Sequence, residues 1–195
     1  MEEIMSDNIR NSDILKAITA IEREYRKDPE TGYERLMVYV SPFLNGDLPS
    51  VSRGTLLRHT ITGLNTFNRL DEAEKFVLEL MELDPNSVQN LTYASTFYWL
   101  NKGDDLRAIA VAESAVALAL KSDNFVVSAY EALCRAAKSA SNFELLESSL
   151  EKALNYQHVE GHPDIRLSDD LLAGVPEGRV NVQLVEKYTS EVSQY

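Results

Sequence analysis

The feature that most constrains this chain is a spacing. Ala73, Val77 and Leu80 stand four and three residues apart, which places them on one face of a helix. Ala108, Ala112 and Ala115 repeat the same spacing 35 residues on, and Leu146, Leu150 and Ala153 repeat it after a further 38. A period of this size marks stacked helix pairs. No single pair can bury its apolar face alone, so neighbours must share a continuous core. Alternating apolar and polar runs between turn signals are nearly absent, which argues against a sheet.

The best-formed copy is Leu70–Ser87, LDEAEKFVLELMELDPNS. Phe76 and Leu83 flank its inner stripe, and Glu74, Glu79 and Glu82 are expected to face out. Asp84-Pro85 stops it, because the residue before a proline avoids the helical region. Upstream, the periodicity predicts a helix from Ser12 or Asp13 to about Lys27, with Ile14, Leu15, Ile18, Ile21 and Tyr25 on one stripe. Asp28-Pro29 should end it. A second helix should open at Thr31 or Gly32, carry Leu36, Met37, Val40 and Phe43, and break near Pro42. Leu44–Ser50 reads as a loop. Ser52 should cap Arg53–Phe67, with Leu56, Leu57, Ile61 and Leu64 inward, and Asn68 should turn in the left-handed conformation.

Downstream the expected helices are Val88–Leu100, Leu106–Leu120 behind a cap at Asp104 or Asp105, Phe125–Ser139, and Phe143–Tyr156. Residues 157–179 carry Gly, Pro and charges without a period, and read as irregular with one helical turn at Asp169–Leu172. A last helix from Val180 or Asn181 to Val192 should cover the open end. The organisation expected is an N-terminal pair in 1–50, three pairs in 51–156, and an irregular acidic segment plus helix in 157–195.

Composition narrows the function classes. Apolar residues make up 44% of 195, enough for a real core. The net charge of −12 carries no Lys/Arg cluster, so a nucleic-acid or anionic-membrane surface is disfavoured. Ten acidic against four basic residues lie from 141 onward. One cysteine, Cys134, allows no intrachain disulfide; in the apolar run AYEALCRAAK it reads as a buried small residue rather than a nucleophile. The acidic start MEEIMSDNIR lacks a signal-peptide core and reads as a frayed leader, and no window approaches a membrane span. A cytoplasmic protein is expected.

From about Ser52 to Tyr156 the chain resembles three tetratricopeptide-type (TPR-like) units. DEAEKFVLELMELDPNS follows the family's ending; Tyr98, Gly103 and Ala108 mark the second unit, and Leu133, Cys134 and Ala153 the third. Large Ile61 stands where a small residue is usual, and the second unit lacks the terminal proline. The resemblance implies an all-α solenoid of antiparallel helix pairs. It also implies that the first helix of each pair lines a concave groove for a protein or peptide segment. By helical position that groove would hold Arg58, Thr62 and Asn65, then Thr92, Thr96 and Trp99, then Glu131, Arg135 and Lys138. The carboxylate-clamp branch of the family looks absent, since Tyr93, Ser128 and Ala132 stand where its other positions would be and only Arg58 is basic.

The implied function is a non-enzymatic scaffold, adaptor or chaperone-like protein without a cofactor. The acidic balance supports a second reading, a structural or inhibitory protein that masks a basic partner much as a nucleic-acid mimic would. Trp99 fits either a groove anchor or a core filler. Arg135 and Lys138, three apart, suit an acidic ligand or a solvated face. His158 and His162, near Glu160 and Asp164, have metal-like spacing, but Gly161 and Pro163 oppose the helix it needs. His59 reads as structural. Asp104-Asp105 and Asp169-Asp170 read as helix starts, where the helix dipole favours acids, rather than as general acid/base pairs.

Overall fold

The computed structural model describes residues 11–46, 50–157 and 167–192, and every regular element among them is helical. The helices fall into two units, Met1–Leu83 and Asp84–Tyr195. The first holds α1 (Asn11–Glu24), α2 (Pro29–Leu44), α3 (Ser50–Thr66) and α4 (Leu70–Leu83). Helix α3 is its hub and packs on α1, α2 and α4. Of the stripes expected from the period, Ile14, Ile18, Leu36, Val40, Leu56, Leu57, Ile61, Leu64, Ala73, Val77 and Leu80 are buried, while Leu15, Ile21, Tyr25, Met37 and Phe43 are half-buried. Each large one contributes roughly 1.5–3 kcal/mol of transfer free energy.

Several details of this unit differ from the sequence expectation. Helix α3 begins at Ser50, so Ser52 lies inside the helix and does not cap it. Asp28-Pro29 does not only end α1. Asp28 caps α2, its carboxylate accepting from Thr31 N at 3.4 Å, and Pro29 occupies the first turn, where its missing N–H has no intrahelical partner to lose. Pro42 does not break α2. It lies in the last turn, and the carbonyl it leaves without a donor belongs to Val38, which is 75% exposed. Glu79 does not stand free on the outer face. It pairs with Arg53, whose Nη1 also donates to the Leu44 carbonyl at 2.8 Å. Asn68 turns at φ 57°, as its side chain allows, and Arg69 N returns to Leu64 O at 2.8 Å to close α3.

The second unit holds α5 (Val88–Phe97), a π-helical turn at Tyr98–Lys102, α6 (Asp105–Ser122), α7 (Val126–Ser139), α8 (Phe143–Gln157) and α9 (Val182–Val192). Helix α6 packs on α5 and α7, α7 on α8, and α8 on α9; α5 also meets α7 directly. Contact between next-but-one helices is what stacked pairs require, and α1 with α3 shows the same relation in the first unit. Ser87, Asp104 and Asn142 cap α5, α6 and α8, accepting from Asn90 N at 3.2 Å, Arg107 N at 3.1 Å and Leu145 N at 3.2 Å.

The pairs are joined by an equivalent hydrogen bond. Ser95 Oγ on α5 donates to Ala108 O on α6 at 2.9 Å, and Cys134 Sγ on α7 donates to Leu146 O on α8 at 3.9 Å. Ala108 and Leu146 are corresponding positions of the repeat, so Cys134 takes the place of Ser95. Both side chains are buried.

Here too the expectation is corrected in places. Val88–Leu100 is not one α-helix: its last turn widens, and Gly103, at φ 64°, sends its N–H back to Tyr98 O. The widened geometry lasts a single turn of five residues, too short for a periodicity to register. Phe125 is a cap at φ 57° rather than the first helical residue of α7. Asp169–Leu172 forms linked turns in place of a helical turn, with Leu171 N on Ser168 O at 3.3 Å and Ala173 N on Asp170 O at 2.9 Å. Val182 is 65% exposed, and Tyr188 is the buried anchor of α9. The set around His158 and His162 lies outside the described residues.

Close approach in the first unit generates a paired prediction. A Cβ added at Gly32 would lie 2.3 Å from Phe67 Cε1, whereas one added at Gly54 meets nothing nearer than 3.5 Å. Thermal or urea unfolding should find Gly32→Ala destabilised by about 1–3 kcal/mol through overpacking. Gly54→Ala should be neutral or up to about 1 kcal/mol more stable through helix propensity. Equal effects would show that helix separation is not set at Gly32.

Candidate functional site

The nine residues placed on the inner helices divide among three faces. On α3, Arg58, Thr62 and Asn65 share one side of the helix. Arg58 is half-buried, its Nε donating to Gly54 O at 3.3 Å, and Thr62 is exposed, its hydroxyl donating to Arg58 O at 3.0 Å. Asn65 is half-buried. Beside them, burial and then the charge of Arg58 lower the pKa of His59, which favours a neutral ring.

On α5, Thr92 and Thr96 turn their hydroxyls back onto their own helix, donating to Gln89 O at 3.1 Å and Thr92 O at 3.0 Å. Both residues are half-buried. Trp99 sits in the widened turn, half-buried, with its indole Nε1 turned inward and unpaired. It is therefore neither a free-standing anchor nor a wholly buried filler.

On α7, Glu131, Arg135 and Lys138 come together, and they are already engaged. Arg135 Nε and Nη2 donate to Glu131 Oε1 at 3.1 and 3.0 Å. Arg135 Nη2 also donates to Asp170 Oδ1 at 2.7 Å. Ser168 Oγ donates to the same Glu131 oxygen at 2.6 Å, and Lys138 Nζ donates to Ala173 O at 3.2 Å. The occupant of this face is thus the chain's own segment 167–175. Leu167 and Leu171 bury beneath it at 3% and 0% exposure.

The electrostatics fit that reading. The Arg135 guanidinium holds the Asp170 carboxyl below its ordinary range. Burial pulls Arg135 down, but its bonds to Asp170 and Glu131 outweigh that and leave it raised. Burial and the charge of Arg135 lower Lys138, with Asp170 opposing.

Helix α9 locks the segment from behind. The Tyr188 hydroxyl accepts from Leu171 N at 3.2 Å and donates to Ser168 O. Helix α9 is in turn tied to α8, with Asn181 N donating to Glu147 Oε2 at 3.0 Å and Lys187 Nζ to Asn155 Oδ1 at 3.1 Å. Ser168, Asp170, Leu171 and Tyr188 are the site residues that sequence reasoning missed. One signal did exist: Arg135 and Lys138 called for an acid, and Asp170 stands in an aperiodic stretch with Leu167 and Leu171 four apart.

Among the described residues no group of three or more His, Cys, Asp or Glu could hold a metal ion. Also among them, no helix is long and apolar enough to cross a membrane.

No protein-family model matches the chain, and no curated protein matches it. Among solved structures it is similar to a Podosopora anserina protein described as a kinesin light chain with nearly identical TPR-like repeats. The TM-score is 0.62 at 16% identity, over 96% of this chain and 98% of the other. The likeness is one of fold: the chain is an all-α, TPR-like helical repeat, as its period implies.

Burial pushes the Cys134 thiol up to about 12. Alkylation at pH 8 should run at least about a hundredfold slower on the native chain than on the chain in denaturant, since thiolate is the reacting form. Comparable rates would show that α7 opens around Cys134.

Proposed function

We propose that this chain is a non-enzymatic protein-interaction scaffold, an adaptor or chaperone-like protein that binds a peptide segment against the first helices of its pairs. One observation carries the reading. The α7 face already holds an irregular segment through side-chain and main-chain hydrogen bonds, which is how such a face would hold a ligand. The α5 face beside it presents Thr92, Thr96 and Trp99, and the α3 face presents Arg58, Thr62 and Asn65. These polar and aromatic ridges suit protein partners in the cytoplasm better than a nucleic acid or a membrane, and a chain of net charge −12 repels phosphate. The fold needs no cofactor for this role.

The test uses the purified full chain. Partners are captured by cross-linking and identified, and each affinity is then remeasured with Thr92→Arg plus Thr96→Arg, with circular dichroism to confirm the fold. The expected loss is about thirtyfold or more, the scale of a central interface residue. Unchanged affinity that instead collapses between low and high salt would replace the groove by the acidic outer surface as the contact.

A further inference from the structure

The α7 face is occupied by a segment that is part of the same polypeptide, and the manner of its binding specifies a ligand. Glu131, Arg135 and Lys138 follow one another at four and three residues along α7 and form a ladder of acceptor, cation, cation. Against it the segment sets a serine hydroxyl on Glu131, a carboxylate two residues later on Arg135, and a main-chain carbonyl three residues after that on Lys138. Leu171, directly after the carboxylate, is fully buried. The pattern read by this face is therefore Ser-x-Asp-Leu in a turn conformation.

The segment 167–175 contains linked turns and no helix. Leu167 and Leu171 anchor it in the core, while Asp169, Asp170, Ala173 and Gly174 are exposed. Exposed backbone hydrogen bonds with few buried apolar anchors are the features of elements that open locally. Behind it, the Tyr188 hydroxyl engages the main chain on both sides of Asp169-Asp170.

We propose that segment 167–175 is an internal occupant of the α7 face, displaced by a partner peptide of the same chemistry: a hydroxyl residue, an acid two positions on, and a leucine after it. This rests on the scaffold reading and names its ligand. While the internal segment is seated, the face is open only for the fraction of time that it is released, so an external peptide binds with its affinity reduced by that fraction. Tethering supplies the internal segment at an effective concentration on the order of millimolar, so a free peptide competes better as the internal segment's own contacts are weakened.

Fluorescence anisotropy of a labelled synthetic peptide of residues 167–175, titrated with the full chain, tests this. Ser168→Ala combined with Asp170→Ala in the chain weakens the internal occupant and leaves the α7 ladder, Tyr188 and the peptide intact. It should bind the peptide about tenfold more tightly than the unaltered chain, as expected for the loss of two hydrogen bonds on the closed state. A peptide carrying Asp170→Lys should not bind, and adding Arg135→Glu to the double variant should make it bind that altered peptide in preference to the native one. No gain for the folded double variant, or equal binding of the two peptides, overturns the proposal. Hydrogen exchange on the unaltered chain is an independent arm. The amides of 168–174 should exchange by an opening that leaves α7 and α8 protected, and exchange only together with those helices would make the segment a fixed part of the fold. Thr92→Arg plus Thr96→Arg separates the two readings: it tests the α5 face without touching the α7 ladder. Failure there with peptide binding intact removes the α5 docking surface, while failure of Ser168→Ala plus Asp170→Ala with partner binding intact removes only the internal occupant.

Discussion

The β-carbon that Gly32 lacks would lie 2.3 Å from the ring of Phe67, and the one that Gly63 lacks would lie 2.7 Å from Leu36 Cδ2. Helices α2 and α3 are therefore held at a separation that only the smallest residues permit. Leu36 and Val40 reach the interior from α2, and Leu57, Ile61 and Leu64 from α3, because the backbones come this near. In the second unit alanine does the same work. Ala108, Ala112, Ala115 and Ala119 of α6, and Ala129, Ala136 and Ala137 of α7, are fully buried on helices that pack on each other. At interior packing density a single added methylene is felt. Close approach also lets a short side chain cross from one helix to the next. Ser95 and Cys134 each donate to a carbonyl at the repeat's first inner position, so the sequence period contains a hydrogen bond as well as an apolar stripe.

How much of this was legible follows from the range of the interactions. The bounds of α4, the inner stripes, the caps at Asp104 and the left-handed turn at Asn68 all come from residues within one or two turns of each other, and the sequence expresses them locally. The TPR-like fold was legible for the same reason, since a period is a sum of local patterns. The dipeptide Asp28-Pro29 was read half correctly: the chemistry that stops one helix before a proline also starts the next behind it. The partner of Glu79 was not legible, because Arg53 lies 26 residues away. The occupant of the α7 face was hidden more deeply. Its contacts span 35 and 37 residues and join a periodic helix to a stretch with no period at all. Asp169-Asp170 looked like a helix start because pattern reading assigns acids to the nearest dipole and has no means of assigning them to a distant guanidinium.

Net charge and local charge also pull apart at this face. The chain carries −12, and half of that surplus acid lies from residue 141 onward. A field of that sign governs long-range encounter, but it is screened beyond a Debye length of about 8–10 Å. Within that distance Asp170 meets Arg135 and Lys138, not the mean charge of the molecule. An acidic segment on an acidic protein is thus bound where two cations lie one turn apart on a helix. Covalent attachment makes even modest contacts sufficient: hydrogen bonds worth about 0.5–1.5 kcal/mol each hold a tethered segment that they would scarcely retain if it were free. On the proposed reading, an outside partner would match the ladder on α7 and add contacts that the internal segment does not make. The adjoining α5 face, with Thr92, Thr96 and the half-buried Trp99, lies where such contacts would be found.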